Sequence, residues 1–467
     1  MPPARITHFD ATGRACVDAG VELGFYSGSM TSEPIAVPRR AGSRYDELVR
    51  ADRVHGSIYT DPAIFDKEIE HIFHAGWVFV GHEGEIPNRG DFRSLTLGRQ
   101  PVIFVRGDDG AARVLMNRCT HRGTLVCPYE RGNSRSFTCA YHGWTFRNTG
   151  ELAGVPHPER YGDAFQKHEY ALRPVPRFES YRGYVFASLT PHVKSLDEYL
   201  GPRVKNEIDL AADLSPSGEI EVTAGVHKYD YVGNWKLQLE NSVDGYHITF
   251  LHRSYFQIMK ERTGVDGAQV ATGTSPALVR SVGNGHIVWD MSPVGYGAAA
   301  IERMRQSEGA SRGYYDDLVA AHGEARAHHV LSHGAGHVAI FPNLVIIASQ
   351  LRVIRPISVD ETEVFIYPTL LKDVPSEINE ERLRRHESFY GPAGGGATDD
   401  LEVFDRVTAG LRADVDPWIL LSRGYGQERV ESDGSVVGQI TDELSNRAIL
   451  SHWKTMMGAG ERGLGSE

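Results

Sequence analysis

The chain is short of cysteine, of long apolar runs and of basic charge, and each shortage removes a class of protein. Four cysteines in 467 residues are too few to staple a fold of this size, so a disulfide scaffold is excluded. No segment approaches the roughly 20 consecutive apolar residues of a membrane helix, and Met1-Pro-Pro-Ala-Arg-Ile6 lacks the apolar stretch of a secretory leader. No membrane association is expected, and the expected location is the cytoplasm. Asp and Glu outnumber Lys and Arg by 61 to 49, a net charge of −12, which argues against a nucleic-acid partner. There is no internal repeat, and Gly394-Gly-Gly396 lacks the Lys-Ser/Thr of a phosphate cradle. Nor is there a dinucleotide fingerprint, so any nicotinamide cofactor is expected on a separate protein.

What remains is an ordinary globular composition, 41% hydrophobic and 24% charged, in a chain longer than a single core usually supports. Two domains are therefore expected. Residues 1–45 show little periodicity and read as an irregular arm. Apolar spacing from Asp61 to His74 predicts a helix starting at Asp61-Pro62. Short strands follow at Trp77–Val80, Phe92–Leu97, Val102–Arg106 and Arg113–Asn117, giving a small antiparallel β-domain that ends near Tyr184–Ser188. Beyond it, strands are expected at Glu219–Val226, Ser281–Asp290, Asn343–Ser349 and Thr362–Leu370. Helices are expected at Trp235–His247, Gly309–His329 and Ile378–Tyr390. The class is α+β, divided as an arm and helix (1–75), a β-domain (76–192) and a larger second domain (193–467).

The most informative feature lies in the β-domain. Cys119-Thr-His121 is followed after seventeen residues by Cys139-Ala-Tyr-His142, so each of two tight loops offers one thiol and one imidazole. A [2Fe–2S] cluster of mixed ligation needs two thiolates on one iron and two imidazoles on the other. A structural zinc site is the rival, but zinc fingers usually pair Cys with Cys and His with His. Cys16 and Cys127 are unsuitably spaced for an all-cysteine cluster, and Cys127 reads as a small buried packing residue.

A second constellation is Asn234-Trp-Lys-Leu-Gln-Leu-Glu240-Asn241-Ser-Val-Asp244-Gly-Tyr246-His247, with His252 beyond it. Two histidines and a remote carboxylate suit a non-haem iron(II) site with open positions for oxygen. Glu240, Asp244 and His247 would share one helical stripe. His252 falls off that stripe, so a shared metal requires the helix to end or bulge around Thr249–Leu251. The carboxylate is sought at Asp399-Asp400-Leu-Glu402. Asp399 with Glu402 resembles a capping box, which would leave Asp400 free to face the metal. Decoration of a helix N-terminus by both aspartates explains the same spacing. The histidines His328, His329, His333 and His337 read as surface or packing residues.

Arg118-Cys-Thr-His-Arg-Gly123 and Cys139-Ala-Tyr-His-Gly-Trp144 closely resemble the ligand loops of Rieske proteins. Together with Gly233-Asn-Trp-Lys236, Glu240-Asn-Ser-Val-Asp-Gly-Tyr-His247, Ser349-Gln-Leu-Arg-Val-Ile-Arg-Pro356 and Asp399-Asp-Leu-Glu402, they make the chain similar to the large (α) subunits of Rieske non-haem iron aromatic-ring-hydroxylating dioxygenases. Its look is that of the benzoate/toluate branch. The resemblance implies a Rieske β-domain beside a helix-grip-like catalytic domain, with a [2Fe–2S] cluster on Cys119, His121, Cys139 and His142. It implies a mononuclear iron(II) on His247, His252 and Asp400, with Asp244 linking His247 to His142 across a subunit boundary. It further implies O2 as co-substrate, electrons from NADH or NADPH through a reductase with or without a ferredoxin, and a small β subunit in a trimer-based oligomer. The expected reaction inserts both oxygen atoms into an aromatic ring, with an aromatic carboxylate of benzoate or phthalate type as substrate. A Rieske monooxygenase or demethylase would use the same metals, whereas a pure electron carrier would leave the second domain without a role. Arg253 directly follows an expected iron ligand and departs from the branch's pattern, which makes it the candidate partner of a substrate carboxylate. A surface or interface role explains Arg253 as well. Asn241 is a second candidate substrate contact.

Overall fold

A computed structural model describes residues 45–463 apart from Val265, Gly295, Tyr296, Gly334, Ala335, Ala348 and Asp414. The arm expected before Tyr45, with Cys16, lies outside the described residues.

The sequence from Tyr45 to Ala75 forms short helices ending in Pro62–Glu68. There the Asp61 side chain caps the helix by accepting from the Ala63 N–H at 2.8 Å. The last turns, Ile69–His74, widen to π geometry. This helix packs on the C-terminal helix Leu444–Gly463. Glu68, wholly buried, binds the two together by accepting from the indole N–H of Trp235 (2.8 Å) and Trp453 (2.6 Å), and it pairs with the buried Lys236.

The β-domain is built from three small antiparallel sheets. One runs Ala112–Met116, Gln100–Arg106, Asp91–Leu97, Arg131–Asn133 in spatial order; Val102 to Val105, in its second strand, is fully buried. Ser136–Thr138, Thr145–Arg147 and Leu152–Gly154 make the second, and Arg177–Tyr181, Tyr184–Ser188 and Val78–His82 the third. Phe92, Ile103, Leu115, Trp144 and Phe146 pack between the first two as one core. The strands expected here are present, shifted by a residue or two at their ends.

The larger region centres on a nine-stranded antiparallel sheet. Its order is His227–Val232, Glu361–Pro368, Gln350–Ser358, Leu344–Ile347, His337–Ile340, Ile287–Asp290, Leu278–Ser281, Val436–Gln439, Arg429–Val430. Helices Trp235–Asn241 and Leu444–Gly463 pack on this sheet. Mixed α and β structure with antiparallel sheets is as expected, and no described helix is long and apolar enough to cross a membrane.

Four expected elements differ. Ser281–Asp290 is a hairpin, because Gly283, Asn284 and Gly285 all adopt positive φ and turn the chain. The stretch Gly309–His329 is two helices, Ala310–His322 and Glu324–His333, parted at Gly323 (φ +78°). Glu219–Val226 holds only the short strand Ile220–Glu221, and the sheet strand begins after it at His227. The helix expected over Trp235–His247 stops at Asn241. There the Ser242 hydroxyl donates back to the Gln238 carbonyl at 2.6 Å, a bond that competes with helix continuation. Gly245 then runs so close to the chain at Ile440 that a Cβ would lie 2.5 Å from its carbonyl oxygen.

Candidate metal centres

Cys119-Thr-His121 lies between Ala112–Met116 and Arg131–Asn133 of the four-stranded sheet, and Cys139-Ala-Tyr-His142 forms the tip of the hairpin between Ser136–Thr138 and Thr145–Arg147. The two loops share one backbone plan. Cys119 N–H donates to the Thr124 carbonyl and Gly123 N–H to the Cys119 carbonyl; Cys139 donates to Trp144 and Gly143 to Cys139, all at 2.8–2.9 Å. Gly123 (φ +78°) and Gly143 (φ +71°) close the loops in a conformation that side chains disfavour. Asn117 ties the first loop down, accepting from Val126 and Cys127 N–H and donating to the Cys127 carbonyl. Cys127 is buried, in keeping with its expected packing role.

The four donors converge. The thiols of Cys119 and Cys139 are neighbours, each acting on the other's titration, and both are nearly fully buried. Burial raises the Cys119 thiol pKa. At Cys139 burial works the same way, but N–H groups of Tyr141 and His142 and other neighbours outweigh it and lower the pKa. The His121 and His142 rings lie edge to face with centroids 4.7 Å apart, and Trp144 stacks on His121 at 4.8 Å. Both Nδ1 atoms are buried without a hydrogen-bond partner among the described residues. A buried imidazole nitrogen left unpaired is costly, and two of them beside two thiols fit the mixed ligand set of a Rieske cluster.

The second centre uses the broken helix. After Asn241 the chain makes a tight turn to His247, a short helix Ile248–Leu251, and a further break at His252 (ψ 21°) before helix Arg253–Thr263. Glu240, Asp244 and His247 therefore do not form one helical stripe. Glu240 is buried elsewhere, accepting from the Tyr59 hydroxyl at 2.9 Å. The two breaks turn His247 and His252 toward each other, with ring centroids 5.2 Å apart.

Asp400 completes the group. Its Oδ1 lies 3.3 Å from His252 Nε2 and 3.8 Å from His247 Nε2, and the three donors all fall within 4.8 Å of one another. The outer ring nitrogens are also held. Asp244 Oδ2 faces His247 Nδ1 at 3.3 Å, and Asp399 Oδ2 faces His252 Nδ1 at 3.4 Å. Burial opposes protonation of His252, but Asp400 and Asp399 outweigh it and raise its pKa. Three converging donors, with both histidines oriented from behind by carboxylates, fit a 2-His-1-carboxylate iron.

The expected capping box at Asp399–Glu402 is absent. The helix Ala397–Gly410 begins two residues earlier, after Gly396, so Asp399 sits inside its first turn with no cap bond and its carboxylate turns to His252. Asn241 donates to Asp400 Oδ1 at 3.2 Å, so it supports the carboxylate besides lining the cavity.

A cavity of about 310 Å³ opens onto His247, His252 and Asp400. Aromatic rings of Trp289, Phe389 and Tyr390 form much of its wall. Arg253 is exposed and does not line it. One residue advances a helix by about 100°, so a buried His252 turns its neighbour outward. The arginine on the cavity is Arg352, 2% exposed, on strand Gln350–Ser358. Its Nη1 donates to Ser242 Oγ at 3.0 Å and its guanidinium lies 5.5 Å from the Tyr390 ring centre, while Nε has no partner among the described residues. Sequence reasoning passed over Arg352, although a lone charge among Leu351, Val353 and Ile354 marks an unusual strand position. His337, expected to be a surface or packing residue, also lines the cavity; it stacks on Trp289 at 4.0 Å, and burial lowers its pKa to about 4.

Comparison with known proteins agrees with both centres. Residues 76–179 match the Rieske [2Fe-2S] domain, and residues 221–458 match the catalytic domain of the ring hydroxylating alpha subunit. The chain is 35% identical over 385 residues to the 2-halobenzoate 1,2-dioxygenase large subunit of Burkholderia cepacia, covering 80% of each chain. It is 37% identical to the toluate 1,2-dioxygenase alpha subunit of Pseudomonas putida, covering 78% of this chain and 82% of that one. Among solved structures, naphthalene 1,2-dioxygenase from Rhodococcus sp. bound to indole superposes with a TM-score of 0.75 at 29% identity, covering 87% and 94% of the two chains. The chain belongs to the Rieske non-haem iron ring-hydroxylating oxygenase alpha subunits. Within them it falls in the benzoate/toluate branch. It is an oxidoreductase whose cofactors are a [2Fe–2S] cluster and mononuclear iron, with O2 as co-substrate.

Proposed function

We propose that this chain is the oxygenase component that adds both atoms of O2 to adjacent ring carbons of an aromatic carboxylate, giving a cis-dihydrodiol. The observation that carries the substrate class is Arg352. It is a buried guanidinium on the cavity wall with no carboxylate ion-paired to it among the described residues. A buried charge is costly until it is paired, and a substrate carboxylate supplies the missing partner in a bidentate geometry. The 2-halobenzoate, toluate and anthranilate dioxygenases similar to this chain are named for aromatic acids.

In this reading Cys119 and Cys139 hold one cluster iron, His121 and His142 the other, and His247, His252 and Asp400 hold the mononuclear iron. When bound, the cluster supplies single electrons and the iron supplies dioxygen activation. The chain does the rest. Asp244 and Asp399 keep the Nδ1 protons of His247 and His252, leaving each Nε2 directed at the centre. Asn241 steadies Asp400. Trp289, Phe389 and Tyr390 hold the ring and exclude water, and Arg352 sets its orientation by the carboxylate.

The domains run 76–192 and 193–467, with the arm and helix of 1–75 preceding them. Asp244 would link His247 to the partner subunit's His142, and the working enzyme is a trimer-based oligomer with a small second subunit. Two patches support an interface. Leu125, Tyr129 and Tyr141 are exposed around the cluster loops, and Tyr246 and Phe250 beside His247. Electrons come from NADH or NADPH through a reductase, with or without a ferredoxin, in the cytoplasm. The test is turnover under ¹⁸O2 with benzoate-like acids and their neutral amides. Two labelled oxygens in a diol formed preferentially from the acids is the expected result. One labelled atom would make the enzyme a monooxygenase, and equal use of the amides would remove the carboxylate preference.

A further inference from the structure

A second group of metal-ligand type lies outside the catalytic centre. His227 opens the edge strand His227–Val232 of the nine-stranded sheet, and His386 and Glu387 lie near the end of helix Ser376–Tyr390. One donor atom of each falls within 4.8 Å of the others. His227 Nε2 is 2.8 Å from Glu387 Oε1, and His386 Nδ1 is 3.4 Å from the same oxygen. The two rings are nearly parallel, at 11°.

The burial of His386 makes the group more than a surface cluster. His386 is 2% exposed, and its Nε2 faces Gln350 Oε1 at 3.2 Å. Gln350 Nε2 is buried without a partner among the described residues, so the amide can present either atom to His386. With the oxygen turned to Nε2, that nitrogen donates and the lone pair of Nδ1 points at the Glu387 carboxylate, the arrangement that supports a metal-ligating imidazole. Donors bound at about 2.0–2.1 Å to a tetrahedral zinc lie about 3.3 Å apart; the 3.4 Å between His386 and Glu387 matches this, and the 2.8 Å between His227 and Glu387 would open to it on binding.

We propose that His227, His386 and Glu387 form a second, non-catalytic binding site for a late first-row divalent cation, with zinc as the fitting ion. Two imidazoles and one carboxylate suit zinc, and the half-exposed Glu387 leaves the remaining position to water. The ion would clip the sheet's edge strand to the helix that carries Phe389 and Tyr390 of the cavity wall. The site stands apart from the iron ligands, and its test does not depend on the substrate.

The experiment is zinc uptake by the iron-loaded full chain, using zinc buffered by a chelator at micromolar free ion and elemental analysis after gel filtration. The expected result is one zinc per chain beyond the iron content, and a higher melting temperature with zinc than without. His227→Gln and Glu387→Gln should each lose that equivalent and the thermal shift while keeping iron content and cluster absorbance. Both positions are partly exposed, so these variants keep the buried His386 in place. Asp400→Ala should retain the extra zinc. Uptake unchanged in both variants, or no zinc beyond iron in the wild type, would overturn the site. Either result would leave a hydrogen-bond chain from Gln350 through His386 and Glu387 to His227.

Discussion

Asp399 Oδ2 faces His252 Nδ1 at 3.4 Å, while the next residue, Asp400, faces the opposite ring nitrogen at 3.3 Å. Two adjacent carboxylates thus grip one imidazole from both sides. The first-turn geometry of helix Ala397–Gly410 sends their side chains in different directions, and the two aspartates have different work.

Asp400→Ala should abolish binding of the mononuclear iron while the cluster's visible spectrum is unchanged. Asp399→Ala should keep the ligand set but weaken iron binding by roughly 10–100-fold, as loss of a carboxylate behind a ligating histidine does. Iron titration of the two variants checks this. Equal affinity in Asp399→Ala and wild type would reduce Asp399 to a helix-end charge.

Asp244→Asn should retain both metal centres and lose turnover by at least roughly 10–100-fold. Asp244 stands behind His247 at 3.3 Å, and in the proposed assembly it also links the two centres. Stopped-flow oxidation of the pre-reduced cluster, with substrate and O2 present, is the measurement. A wild-type rate would take Asp244 off the electron path.

Arg352→Gln should weaken binding of benzoate-like acids by about 1.5–3 kcal/mol, the worth of a hydrogen bond to a charged group. The matching amides should lose much less. Arg253→Leu, at an exposed position off the cavity, should change neither. Calorimetric titration of acid and amide against each variant decides it, and equal losses for the two ligands would return Arg352 to a purely structural role.

Glu240→Gln should stabilise the protein at alkaline pH. Burial raises the Glu240 pKa from 4.5 to about 7, against the opposing hydrogen bond from Tyr59 and the charge of Lys236. A carboxyl with a raised native pKa contributes its full stability below about pH 4.5, and that contribution is lost as pH rises through about 7. The variant should therefore match wild type near pH 4.5 and exceed it by about 3 kcal/mol at pH 8, at 1.36 kcal/mol per pKa unit. Denaturant melts at the two pH values test the sign; a variant less stable than wild type at pH 8 would reverse it.

The cluster loops were legible in the sequence because they are local. Ligands two or three residues apart, each loop closed by a glycine, specify their own backbone turn, and the structure gives Cys119 and Cys139 the same hydrogen-bond plan. The strands around them were legible for the same reason, since a short apolar run bounded by turn residues needs no distant partner. The second centre was legible only in part. His247 and His252 stood out as a pair, but helix periodicity placed Glu240 and Asp244 on one stripe with His247. The Ser242 back-bond and the approach of Gly245 to Ile440 end the helix before that stripe forms.

By itself the sequence determined the chemistry of the donors, the mixed thiol and imidazole loops, and the α+β class of the chain. Only the tertiary structure decided which carboxylate turns inward, which arginine lines the cavity, and that His227 meets His386 and Glu387. Each of those choices joins residues between 110 and 160 positions apart through sheet order and helix packing. Such contacts depend on where whole elements are placed, and neither spacing nor composition carries that placement. Arg253 and Arg352 show the difference. The first adjoins a ligand in sequence and faces away from the cavity. The second is remote in sequence and lies on the cavity wall, because Gln350–Ser358 pairs between Leu344–Ile347 and Glu361–Pro368 in the sheet beneath.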